Sequence, residues 1–68
     1  MRLHIKLQEV LDERGLKQKE LAALTGIRLG TISEICNNRR STINREHLEI
    51  IAEKLDITEV NELLVFTN

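Results

Sequence analysis

The stretch QKELAALTGIRLGTISEICN, residues 18–37, sets small and apolar residues where two short helices must cross at a tight turn. Ala22 falls in the middle of the first helix, where a larger side chain would push the second helix away. Gly26 follows four residues later, where the chain must turn sharply and glycine takes a positive φ without cost. Ile32 and Ile35, three apart, then place two apolar side chains on the inner face of the second helix. Two helices crossing in this way make a helix-turn-helix, whose second helix fits the major groove of DNA.

The same run resembles the Cro and phage-repressor type of helix-turn-helix domain, whose usual pattern reads close to TQxELAxxTGIxxxTISxIENGxR. Gln18, Glu20, Leu21, Ala22, Thr25, Gly26, Ile27, Thr31, Ile32, Ser33, Ile35, Asn37 and Arg39 match that pattern. The similarity continues upstream through LQEVLDERGL and downstream through HLEIIAEKLDI, so it spans nearly the whole chain. It implies an all-α fold, a compact five-helix lambda-repressor-like bundle, and sequence-specific binding of double-stranded DNA by a small bacterial or phage transcriptional regulator, a repressor in the first instance.

Size and composition are consistent with this. A chain of 68 residues makes a single domain over 1–68 and removes only about 60% of its unfolded surface from water, so its core must be small and economical. One cysteine leaves no internal disulfide, and no apolar run approaches the ~20 residues of a membrane span. The expected location is cytoplasmic and nucleoid-associated, with no membrane partner. The net charge of −1 looks wrong for a DNA binder until it is divided along the chain. Residues 1–45 hold nine Lys/Arg and five Asp/Glu, whereas residues 46–68 hold one and six. The basic half contains the motif, which suits one face turned toward phosphate and another turned away.

Apolar periodicity places the helices. Leu7, Val10 and Leu11 predict a first helix over 6–14, stopped by Gly15, with Leu16 folding back on the core. The motif gives helices over 18–25 and 29–37. Asn44 is a good N-cap for a fourth, whose Leu48, Ile51, Ala52 and Leu55 form an inward stripe closed by Asp56. A last short helix over 59–64 is expected to bring Val60, Leu63 and Leu64 to the core. Residues 2–5 alternate polar and apolar, and residues 64–67 are a β-prone run, so the two ends are suited to a small two-stranded antiparallel sheet; the alternative is a frayed tail with Phe66 resting on the core.

The base-reading positions are Arg28, Leu29, Gly30, Ser33 and Glu34, on the first two turns of the second motif helix, and they also fill the variable base-contacting slots of the family pattern. Arg28 can donate two hydrogen bonds to guanine, Glu34 can accept from cytosine, and Leu29 can pack on a thymine methyl. Gly30 departs from a good reader: it offers no side chain and costs up to ~1 kcal/mol of helix stability relative to alanine, which marks it as a point of close backbone approach. The phosphate-binding set is Lys17, Gln18, Lys19, Thr31, Asn37, Arg39 and Arg40, around the ends of the two helices. Arg45 is a weaker candidate of the same kind. The resemblance implies that Gln18 touches phosphate and buttresses the recognition helix.

Two departures concern stability. Lys17 and Arg28 stand where the family places Ser or Thr caps, and neither can accept a bond from the orphan amides, a loss of about 1 kcal/mol each. Glu20 remains to reach back at the first of them. The resemblance also implies an Arg–Glu pair buried between the first and third helices in some members, and here those slots carry Leu11 and Cys36. An apolar pair replaces an ionic one, and Cys36 reads as a small core residue. With His4 and His47 as the only other soft ligands and no CxxC or HxxxH spacing, neither a zinc site nor any other metal or cofactor is expected. Neither histidine has a nucleophile at a recognisable spacing, so no enzyme is expected.

A monomer of this size covers part of one groove face, so a homodimer on two half-sites about 34 Å apart is expected. Its contact would come from the acidic C-terminal half, with Val60, Leu63, Val65 and Phe66 as apolar candidates. The competing reading keeps the fold but gives it a protein partner through that same half, as in an antitoxin or anti-repressor.

Overall fold

Each α-helix of the chain stops at or just before a residue in the left-handed region of backbone space, and this punctuation sets the architecture. The computed structural model describes residues 1–68. In chain order it contains β1 (Arg2–Ile5), α1 (Leu7–Arg14), α2 (Gln18–Thr25), α3 (Leu29–Cys36), α4 (Arg45–Lys54), a 3-10 turn (Val60–Glu62) and β2 (Leu64–Thr67). The left-handed residues are Gly15 after α1, Gly26 after α2, Asn38 after α3 and Asp56 after α4, with φ of 66°, 76°, 54° and 57°. At three of them the next N–H reaches back over the last turn: Leu16 to the Leu11 carbonyl at 2.9 Å, Arg39 to Glu34 at 3.1 Å and Ile57 to Ala52 at 2.8 Å. At Gly26 a single bond runs to the Ala22 carbonyl at 2.9 Å. These bonds satisfy carbonyls that the helix ends would otherwise leave open. A Cβ added at Gly15 or Gly26 would meet nothing within 4 Å, so it is the sign of φ that selects glycine there. Asn38 and Asp56 are of the two residue types that otherwise take this conformation most readily.

The expected all-α five-helix bundle is corrected to four α-helices and a two-stranded sheet. The fifth helix shrinks to one 3-10 turn, because Glu59 is extended and Leu64 already belongs to β2, which leaves room for a single turn between them. Val60, expected in the core, is 69% exposed, while Leu63 is buried and Leu64 packs against the core from its edge. On α3 the inward pair is Ile32 and Cys36, and Ile35 is half-buried: at 3.6 residues per turn the i, i+4 pair lies closer to the inward axis of this short helix. Asn44 caps α4 as expected, its side chain accepting the His47 N–H at 3.2 Å. Leu55 is the C-cap of α4, one residue before Asp56.

β1 and β2 pair antiparallel, in the register Arg2 with Thr67, Leu3 with Phe66, His4 with Val65 and Ile5 with Leu64. The paired ends are therefore ordered strands. One cluster of twelve buried side chains gathers residues from β1, from all four helices and from the connections. Leu7, Leu11, Leu21, Ile32 and Ile51 are fully enclosed; truncating any of them to alanine costs about 2–5 kcal/mol. Leu11 and Cys36 both belong to this cluster, so the two slots where the resemblance implies an ion pair are apolar in this chain. Arg14, on the outside of α1, donates to the Leu55 carbonyl and ties α1 to the end of α4.

Candidate nucleic-acid interface

The turn between α2 and α3 is held by Thr25. Its hydroxyl donates to the Leu21 carbonyl at 2.8 Å and accepts the Ile27 N–H at 3.2 Å, so one side chain stitches the last turn of α2 to the residue that begins the crossing. Ile27 and Leu21 are buried beside it. The sequence reading gave Thr25 no role, although a threonine one residue before a helix-ending glycine is well placed to bond back to the i−4 carbonyl.

Both motif helices begin without a side-chain cap. Lys17 and Arg28 have the extended backbone of capping residues, but no hydrogen bond joins either side chain to the helix amides. An ammonium or guanidinium has no lone pair to offer them. At α2 half of a capping box survives: the Glu20 carboxylate accepts the Lys17 N–H at 2.8 Å. At α3 nothing replaces the missing cap, and Arg28 puts a cation at the positive end of the helix dipole.

α3 turns Ile32 and Cys36 inward, and this fixes what it presents outward. Leu29 and Gly30 are exposed, Leu29 at 49%; Ser33 and Glu34 are half-buried, and Asn37 just beyond the helix is exposed. Arg28 stands exposed before the helix, and Arg39 and Arg40 stand exposed after it. Lys17 and Lys19 are exposed at the start of α2, and Thr31 is half-buried. A Cβ at Gly30 would meet nothing within 4 Å. No protein atom therefore makes the close approach expected there.

Five members of the predicted set, Ser33, Glu34, Gln18, Asn37 and Arg40, already have partners within the chain. Arg40 donates to Glu34 at 2.9 Å, an exposed ion pair that holds the Glu34 carboxyl below its ordinary value and raises Arg40. Gln18 donates to the Gln8 side chain at 2.8 Å, and Gln8 in turn donates to Asp12 at 2.8 Å. The structural bond made by Gln18 thus goes to α1, not to the recognition helix it was expected to buttress. Asn37 donates to the Ser33 hydroxyl at 3.3 Å.

Asn38 is the residue that sequence reasoning missed. Besides ending α3 in the left-handed conformation, its side chain accepts the Ile5 N–H at 2.7 Å and donates to the Ile5 carbonyl at 3.1 Å. It fastens the exit of α3 to β1. The signal was an asparagine one residue past the expected end of the helix. Cys36, the last residue of α3, is enclosed, and burial pushes its thiol up to about 11. No three His, Cys, Asp or Glu side chains stand together as a metal site would require.

Two short helices crossed at a left-handed glycine, with the second exposed along its outer side and flanked by cations, define a helix-turn-helix DNA-binding unit. The model of the Cro/C1-type HTH DNA-binding domain matches residues 6–68, and the chain belongs to that family. No curated protein and no solved structure matches it. No helix is long and apolar enough to cross a membrane.

Proposed function

We propose that this domain is a sequence-reading transcriptional regulator, acting as a repressor, that lays α3 in the major groove of double-stranded DNA. One observation carries the reading: α3 offers Leu29, Gly30, Ser33 and Glu34 along its outer side while exposed cations stand at both of its ends. Arg28, Leu29, Ser33 and Glu34 read base edges, and Gly30 lets the backbone come close. Lys17, Gln18, Lys19, Thr31, Asn37, Arg39 and Arg40 grip phosphates and set the helix in register. Two copies on two half-sites about one helical turn apart supply the affinity that one small module lacks, and repression follows from covering promoter DNA.

The test is selection of bound duplexes from a random pool at two salt concentrations. An enriched palindrome whose binding falls steeply with salt is the expected result. Weak, unenriched binding at both salts would overturn this reading and favour a protein partner, as for an antitoxin or anti-repressor.

A further inference from the structure

The side-chain amide of Asn38 bonds to β1 much as the peptide group of a neighbouring strand would. A primary amide carries an acceptor and donors on one planar group. Its oxygen takes the Ile5 N–H at 2.7 Å and its nitrogen donates to the Ile5 carbonyl at 3.1 Å. On the other side of β1, Ile5 is paired with Leu64, and the next residue, Lys6, gives its N–H to the Leu63 carbonyl. The Ile5 side chain is itself buried in the core. Asn38 therefore holds on to one of the most firmly placed residues of the sheet.

Ending a helix does not call for such a clamp. Of the four left-handed residues that follow the helices, Gly15 and Gly26 have no side chain and Asp56 bonds to nothing through its own, so Asn38 alone reaches another element. What sets it apart is the chain around it. Asn37 and Arg39 flank it and Arg40 follows, all three exposed. The Arg39 N–H closes on the Glu34 carbonyl at 3.1 Å, and residues 40–43 then make no backbone hydrogen bond before Asn44 caps α4. Arg40 also reaches Glu34 at 2.9 Å, but an exposed pair of this kind contributes little. Three side chains proposed to grip phosphate thus stand on a segment with no ladder of its own, fixed at Asn38.

We propose that Asn38 is a positioning residue for DNA binding: by clamping Ile5 it sets the exit of α3 against β1 and holds Asn37, Arg39 and Arg40 where the phosphates of one DNA strand pass. It touches no DNA itself. This role rests on the DNA-binding reading above and supplies the preorganisation of one half of its phosphate grip. A loose exit would have to be ordered at the moment of binding, with a loss of affinity that the clamp avoids because the ordering is already complete in the folded chain.

The experiment compares Asn38→Gly with wild type on the operator selected above, by fluorescence anisotropy over a salt series, with Ile57→Val as a control. Glycine takes the left-handed conformation freely and is the usual residue at such a helix end, so the variant keeps the turn and loses the two bonds to Ile5. Ile57→Val lowers stability from within the core, away from the exit of α3. At a temperature where circular dichroism shows all three proteins folded, Asn38→Gly is expected to bind about tenfold more weakly with a salt slope lower by about 1–2, one for each phosphate no longer held. Ile57→Val is expected to match wild type in both, because lost stability alone removes active molecules without changing the slope. Arg40→Ala, which weakens the wild type, is expected to change Asn38→Gly by less than about twofold, since the contact it deletes is already lost. A salt slope unchanged in Asn38→Gly, or an Arg40→Ala effect as large there as in wild type, would overturn the role and leave Asn38 a residue of the fold alone. A selection that enriches no duplex would instead overturn the DNA-binding reading, and this role with it, before any variant is compared.

Discussion

Glu34 and Arg40 hold each other at 2.9 Å across the end of α3, so the acid placed for base reading and the base placed for phosphate are closed on one another in the free protein. If Arg40 contacts phosphate as proposed, DNA competes with Glu34 for it, and a phosphate-rich surface is able to do so because the pair is exposed and screened by water. Glu34→Gln is expected to free Arg40, tighten binding to non-operator duplex and steepen the salt dependence. Arg40→Ala is expected to weaken binding to all sequences and reduce the salt slope by about 1. Titration by fluorescence anisotropy at four salt concentrations checks both. Equal slopes in the two variants would show that Arg40 makes no phosphate contact.

The uncapped starts of α2 and α3 lead to an opposite trade. Lys17→Ser and Arg28→Ser supply the missing acceptors on backbones already extended for capping, and each is expected to raise unfolding free energy by about 0.5–1 kcal/mol. The double variant is expected to melt higher and, with the proposed DNA contacts of both cations removed, to bind operator more weakly. Urea unfolding and anisotropy measure the two effects separately. Unchanged affinity would remove Lys17 and Arg28 from the interface.

Gly30 is open to a similar substitution. Space for a Cβ exists on the protein side, so Gly30→Ala is expected to stabilise the domain by up to about 1 kcal/mol. If the α3 backbone approaches DNA closely at this point, the same methyl lowers operator affinity. An affinity equal to that of wild type would mean that the glycine is not there for the DNA.

Cys36 gives stability a dependence on alkaline pH. Its thiol is raised from 9.0 to about 11, first by burial and then by Asp12 and Glu9. The folded state therefore holds its proton more tightly than the unfolded chain does. That contribution is complete below about pH 9 and is lost as pH climbs toward 11. Cys36→Ala, less stable at neutral pH because a buried atom is gone, is expected to show a flatter stability curve between those values in urea titrations. Parallel curves for the two proteins would mean that the thiol does not couple to folding.

Asn38 joins two jobs that separate substitutions can divide. Asn38→Gly keeps the left-handed conformation and loses the two bonds to Ile5, whereas Asn38→Ala loses both. The order of stability expected from denaturant midpoints is wild type, then glycine, then alanine, with about 1–3 kcal/mol for leaving the Ile5 groups without partners. Alanine at least as stable as glycine would show that the backbone conformation contributes little.

The helices were legible in the sequence because each is announced by local chemistry. The 3.6-residue repeat of Leu7, Val10 and Leu11, the glycines at 15 and 26 and the asparagine at 44 act within one or two turns, and the observed bounds fall within a residue of those expected. The fifth helix failed for a reason that is not local: Leu63 has to reach the core and Leu64 has to join β1 at the other end of the chain, which leaves three residues for a turn. Asn38 failed for the same reason, since its partner Ile5 lies thirty-three positions away. The candidate site was legible as a set of exposed side chains, but the pairing of Glu34 with Arg40 and of Gln18 with Gln8 depends on side-chain geometry that spacing does not contain.

The sheet register has a consequence in time. All four helices close on hydrogen bonds between near neighbours, which form early and at little entropic cost, whereas pairing Arg2 with Thr67 closes a loop of nearly the full chain. The strands are therefore expected to join last in folding and to part first in native-state hydrogen exchange, with the His4 and Val65 amides exchanging faster than those of Leu11 or Ile51.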